Sequence, residues 1–166
     1  MERYEGKRAV ITGGTSGMGL ATAKMLLAGG ARVLVTGRSP AGLESAQKEL
    51  GNGAIVVSSD ARSLTDIDAL AARVKAEFDT FDLLFVNAGF SIPTPLESVT
   101  EAIYDEMFNL NAKGPFFAVQ KLAPLISRGG LRCPHDLDRQ RQRNARPSHI
   151  RSGQGCAAII RSDARR

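Results

Sequence analysis

Apolar residues follow two rhythms along this chain. Short runs such as Ala9-Val10-Ile11, Val33-Leu34-Val35 and Leu83–Val86 are apolar at successive positions, and between them lie longer stretches with apolar residues three or four apart. The first pattern marks strands covered on both faces, the second the buried face of a helix. The spacing predicts strands at Arg8–Thr12, 32–36, Ala54–Ser58 and Leu83–Val86. It predicts a first helix over 17–29, in which Leu20, Ala23 and Leu27 with Met18, Ala21 and Met25 form a broad buried stripe, stopped by Gly29-Gly30. Ser39-Pro40 supplies an N-cap and a proline at the first position of a second helix, which runs to Leu50 and ends at Gly51. Ser63, with Asp66 three residues on, resembles a capping box before Ile67, Leu70, Ala71, Val74 and Phe78. A further helix expected from Thr100 carries Ala102, Ile103, Phe108, Leu110, Phe116, Phe117 and Val119, kinked by Pro115.

Strand and helix alternate with short connections, so the fold class is α/β: a Rossmann-like, doubly wound parallel sheet, incomplete at its first four strands. The length and the 43% apolar content suit one domain. The net charge of +5 changes that picture only in one place. Residues 131–166 hold nine arginines against three aspartates, a balance of +6, which leaves −1 for residues 1–130. The same segment contains no Lys, Glu, Val, Phe, Tyr, Thr or Met, so composition breaks near Gly129-Gly130. The chain therefore divides into a folded unit over 1–130 and a basic tail over 131–166. Without aromatics or an apolar period the tail is expected to be disordered, and to bind nucleic acid only without sequence selectivity, if at all. The N-terminus has no apolar signal core and no later run is long enough to cross a bilayer, so a cytoplasmic protein with no membrane contact is expected. Cys133 and Cys156 form no CxxC pair and have no ligand spacing with His135 or His149, so no metal is expected.

Candidate chemistry gathers at the carboxyl ends of the predicted strands, where ligands of such sheets bind. Thr12-Gly13-Gly14-Thr15-Ser16-Gly17-Met18-Gly19 joins the first strand to the first helix. Such a turn aims backbone N–H groups and the positive end of a helix at one point, which suits a pyrophosphate, although glycines also serve tight strand-to-helix packing alone. Gly37, Arg38 and Ser39 follow the second strand, Asp60-Ala61 the third and Asn87-Ala88-Gly89 the fourth. An acidic residue at the end of the second strand would hold ribose hydroxyls; here Gly37 stands in that place and Arg38, suited to a 2′-phosphate, follows. NADP is therefore expected over NAD. Read singly, Asn87 is equally a strand-end cap, Asp60 a turn former, Asn111 a solvated helix residue and Arg38 a surface cation.

Taken together, these residues resemble the short-chain dehydrogenase/reductase family over about residues 5–130. Its TGxxxGxG pattern is met by Thr12, Gly13, Gly17 and Gly19, and its NAG signature by Asn87-Ala88-Gly89. The resemblance implies that Gly13, Thr15, Ser16, Gly17, Met18 and Gly19 cradle the cofactor with Arg38 and Ser39. It implies further that Asp60 and Ala61 hold the adenine, that Asn87, Ala88 and Gly89 support the sheet beside it, and that Asn111 is the catalytic asparagine. The loop with Pro93 and Pro95 would lie on the substrate side. The implied reaction is hydride transfer between NADP(H) and a small carbonyl compound or secondary alcohol, by an enzyme of a commonly homo-oligomeric family whose interface elements this chain is expected to lack. The family's serine and Tyr-x-x-x-Lys pair are not matched: Tyr4 and Tyr104 are the only tyrosines and no lysine follows Lys121. A shift of reading frame near Gly130 is compatible with the tail, since shifted codons 137, 150 and 154 can encode serine, tyrosine and lysine. The expectation is a truncated, inactive oxidoreductase that retains its cofactor cleft. The alternative is a nucleotide-binding sensor or interaction protein with a basic contact arm.

Overall fold

The computed structural model of the chain describes residues 3–127 and the backbone of residues 158–161. Four parallel strands, β1 (Arg8–Thr12), β2 (Arg32–Gly37), β3 (Ala54–Ser58) and β4 (Leu83–Val86), form the body of one sheet. A fifth, β5 (Ala158–Arg161), joins it, giving the spatial order β3-β2-β1-β4-β5. β1 thus lies between β2 and β4, with Ile11 opposite Val35 on one side and Phe85 on the other. The direction of winding reverses between β1 and β4, and the ends of these two strands open the cleft described below.

Successive residues of β1 feed two cores. Ala9 and Ile11 face one side with Val33 and Val35, against Ala23 and Leu26 of α1 (Gly17–Ala28) and Ala46 and Leu50 of α2 (Pro40–Leu50). Val10 faces the other side with Leu34, Leu84 and Val86, against Leu70, Val74 and Phe78 of α3 (Leu64–Phe78) and Leu122 of α5 (Gly114–Leu122). The layering is helix, sheet, helix, as expected for a parallel sheet buried on both faces. Val10, Ile11, Val33, Leu34, Val35 and Leu84 are fully buried, each contributing about 1.5–3 kcal/mol relative to exposure.

Polar bonds pin the ends of the central strands. At the amino end, Asp82 accepts from the Arg8 backbone N–H at 3.0 Å and pairs with Lys7 Nζ at 3.1 Å. At the carboxyl end, the Thr12 hydroxyl accepts from the backbone N–H groups of Asn87 at 3.1 Å and Ala88 at 3.2 Å.

The helix starts follow their caps. Ser39 Oγ accepts from the Gly42 N–H at 3.4 Å, with Pro40 opening α2. Ser63 Oγ accepts from the Asp66 N–H at 3.2 Å. The Asp66 side chain, however, does not close a reciprocal box; its Oδ2 accepts from the Asp60 N–H at 2.8 Å, tying the α3 cap to the end of β3.

Two expectations are corrected. The buried face of α1 is Gly19, Ala23 and Leu26, with Leu20 and Leu27 packed beside it, so the Leu20, Ala23 and Leu27 part of the expected stripe faces the core, whereas Met18, Ala21 and Met25 lie on the exposed side. The helix from Thr100 is three pieces: α4 (Glu101–Phe108), a π-helical turn over Asn109–Lys113, and α5. Pro115 follows the π-helical turn directly, in a helix that runs on without a break; its missing N–H and its ring, which meets the carbonyl four residues back at Asn111, place the irregularity in the turn before it. The outer edge of β4 is covered in the structure. Past α5 the chain begins a parallel pairing there, with Ile126 opposite Phe81, and further along β5 runs antiparallel, with Ile159 opposite Phe85. The rest of the tail, including positions 137, 150 and 154, lies outside the described residues.

Candidate functional site

A cleft of about 510 Å³ opens where β1, β2, β3 and β4 end. Twelve of the fourteen residues singled out from the sequence line it: Gly13, Thr15, Ser16, Gly17, Met18, Arg38, Ser39, Asp60, Ala61, Asn87, Ala88 and Gly89. Gly19 and Asn111 instead support its walls.

The floor is the β1–α1 turn. Gly13 adopts φ +66°, and a Cβ on it would lie 2.8 Å from the Ala88 Cα, so the conformation and the contact both require glycine. A Cβ on Gly19 would lie 2.3 Å from the Gly13 carbonyl oxygen and 2.6 Å from Asn87 Nδ2. This close approach lets Asn87 Nδ2 donate to the Gly13 carbonyl at 2.9 Å, which ties the turn to the end of β4. Ser16 precedes α1 in extended conformation without capping it, and no acidic residue lies in the first turn. The leading N–H groups of α1 therefore face the cleft with no side-chain partner, in contrast to those of α2, α3 and α4.

The rim at β2 and β3 carries the charges. The Arg38 side chain is 64% exposed, and its Nη1 lies 3.9 Å from Asp60 Oδ2. Asp60 is held more closely by Arg62, whose Nη2 donates to Oδ2 at 2.6 Å. The Arg62 hydrogen bond holds the Asp60 carboxyl below its usual range, with Arg38 adding a smaller Coulombic pull in the same direction. Arg62 also reaches Glu106 of α4, Nη1 to Oε1, at 3.2 Å. Gly37 ends β2 without a side chain, and a Cβ there would meet Thr15 Cγ2 at 2.4 Å.

Asn111 lies in the π-helical turn and engages the loop after β4. Its Oδ1 accepts from the Phe90 N–H at 3.0 Å and its Nδ2 donates to the Phe90 carbonyl at 2.7 Å. Both tyrosines are remote from the cleft lining: Tyr4 packs under Gly29, and Tyr104 stacks on Phe108 with centroids 4.3 Å apart. Sequence reasoning missed Arg62 and Glu106, because their pairing across 44 positions leaves no local signal. Thr36, Ser59, Phe90 and Leu110 also line the cleft unannounced.

The donor set fits a dinucleotide. Open N–H groups at the α1 terminus and glycines that permit backbone approach suit a pyrophosphate, and the cation at the β2 end suits an additional anion. Among the described residues no helix is long and apolar enough to cross a membrane, and no group of three or more His, Cys, Asp and Glu residues could hold a metal.

The model of the short chain dehydrogenase family matches residues 7–131. The chain is 38% identical over 130 residues to oxidoreductase asL5 of Sarocladium schorii, covering 78% of this chain and 52% of that protein. It is 33% identical over 131 residues to galactitol 2-dehydrogenase of Agrobacterium fabrum, covering 77% and 51%. Among solved structures, the crystal structure of a short chain dehydrogenase from Bacillus anthracis has a TM-score of 0.68 and 30% identity, over 71% of this chain and 49% of that one. The chain thus spans about half the length of the curated relatives it matches.

Proposed function

The chain belongs to the short-chain dehydrogenase family of oxidoreductases, and from that premise we propose that its cleft holds NADP(H) in preference to NAD(H). The observation that carries this reading is the β2 end: Gly37 offers no carboxylate to ribose hydroxyls, Thr15 fills the space where one would start, and Arg38 stands exposed at the rim. The α1 terminus takes the pyrophosphate through its free N–H groups, and Asp60 and Ala61 flank the adenine. Asn87 keeps the β1–α1 turn in place, while Asn111 fixes the start of the loop on the substrate side. The cofactor, when bound, supplies hydride transfer to or from a carbinol carbon; the protein contributes binding and orientation.

The parent activity is reversible reduction of a small carbonyl compound, and this chain as written does not turn over. A positioned general acid contributes on the order of 10²–10⁴ in rate, and Asn111, bonded at both ends to Phe90, is no proton donor to a substrate.

The experiment has two parts. Fluorescence titration should give tighter binding of NADPH than of NADH, with the preference lost in Arg38→Ala; equal curves for the unmutated chain overturn the cofactor assignment. NADPH oxidation with a panel of carbonyl compounds should be absent for the 166-residue chain and present for a version shifted by one base near codon 130 and extended downstream. Comparable turnover by both would sink the inactivity.

A further inference from the structure

Two carboxylates, Asp60 and Glu106, line the cleft that also holds Arg38, the side chain suited to an extra phosphate. Unscreened, they would repel it. Both are engaged by Arg62, which is not itself part of the lining. Arg62 Nε donates to Asp60 Oδ1 at 3.0 Å and to Oδ2 at 3.2 Å, Nη2 donates to Oδ2 at 2.6 Å, and Nη1 reaches Glu106 Oε1 at 3.2 Å. The turn sets this geometry, because the Arg62 backbone N–H donates to Asp60 Oδ1 at 3.0 Å while the Asp60 N–H is held by Asp66. Arg38, by contrast, stands 3.9 Å from Asp60, at ion-pair range without a hydrogen bond.

We propose that Arg62 is a specificity-determining positioning residue: by holding Asp60 and Glu106 from behind, it leaves the Arg38 guanidinium available to a phosphate monoester on the adenosine ribose. Without Arg62, the Asp60 carboxylate would close onto Arg38 in a charge-assisted pair, and a phosphate would have to break that pair and face two uncompensated negative charges. A ligand with only ribose hydroxyls would not meet this penalty. Arg62 therefore acts on the discrimination between the two kinds of ribose rather than on affinity for adenosine. The inference rests on the NADP reading above.

The test uses the 166-residue chain and two fragments, 2′,5′-ADP and 5′-AMP, titrated by calorimetry. The unmutated chain should prefer 2′,5′-ADP. Arg62→Gln should cut the preference about tenfold, the order expected for an uncompensated charge at a partly exposed site. Arg62→Lys should retain most of it, and Asp60→Asn added to Arg62→Gln should restore it. That double variant also serves if Arg62→Gln alone fails to fold. A preference kept by Arg62→Gln, or one still lost in the double variant, overturns the inference while leaving the cofactor reading intact. No preference in the unmutated chain overturns both.

Discussion

Asn111 and Phe90 form a closed pair: the asparagine amide accepts from the Phe90 N–H and donates to the Phe90 carbonyl, at 3.0 and 2.7 Å. One side chain thus satisfies both backbone groups of a residue in an irregular loop. Asn111 sits in the π-helical turn over Asn109–Lys113, whose extra residue changes the facing of side chains along the helix. Asn111→Leu, which is nearly isosteric, should destabilise the chain by about 2–4 kcal/mol, two bonds lost with their partners left unsatisfied. Denaturant unfolding measures this, and hydrogen exchange at the Phe90 amide should accelerate. An unchanged midpoint would mean that the loop is held elsewhere.

Gly19 makes the second test of support without contact. It does not line the cleft, yet a Cβ would collide with the Gly13 carbonyl and the Asn87 amide. Gly19→Ala should cost about 1–3 kcal/mol as overpacking and should weaken dinucleotide binding by opening the β1–α1 turn. Gly53→Ala, which meets only the flexible end of Leu27 at 3.1 Å, is the control that should do neither.

The pH dependence of stability should reveal the Asp60–Arg62 pair. The folded-state pKa of Asp60 is depressed, so the stability it contributes is present above the unfolded value of about 4 and is lost as pH falls through the lower folded value. The difference in Tm between the unmutated chain and Arg62→Gln should be constant from about pH 7 to pH 5 and shrink below about pH 4. A difference that grows on acidification would contradict the pairing.

β5 covers the edge of β4 through backbone pairing. Ile159→Pro removes one N–H from that strand and should weaken the cover, exposing an apolar strand edge. Light scattering during incubation should rise relative to the unmutated chain. Equal scattering would mean that β5 does not protect this edge.

The four parallel strands were legible because a strand buried on both faces has to be apolar throughout, and their ends then placed twelve candidate residues around one cleft. The face of α1 was legible in part: Leu20, Ala23 and Leu27 were read onto the core side and lie there, while counting apolar residues also drew in Met18 and Met25, which are exposed, and passed over Gly19. Asp60 was read as a ligand contact, but its partner Arg62 is two residues away in a turn whose shape comes from Asp66, and Glu106 arrives from another helix. Pro115 marked the irregularity to within one turn, although its form, a π-helical turn, carries no residue signal of its own. β5 was missed because a short strand held by backbone pairing needs little from its sequence.

The double-sided core of β1 leaves one thing unspecified by apolar burial. Were β1 to slip by one residue against β4, Val10 and Ile11 would exchange faces and both would still meet hydrocarbon, so hydrophobicity alone scarcely penalises the wrong alignment. The polar ends supply the penalty. A slip would pull the Arg8 N–H off Asp82 and the Thr12 hydroxyl off Asn87 and Ala88, stranding partners at both ends at once. Thr12 and Asp82 therefore act as the two ends of a ruler, and the alignment of the whole sheet, with the cleft that depends on it, is read from them.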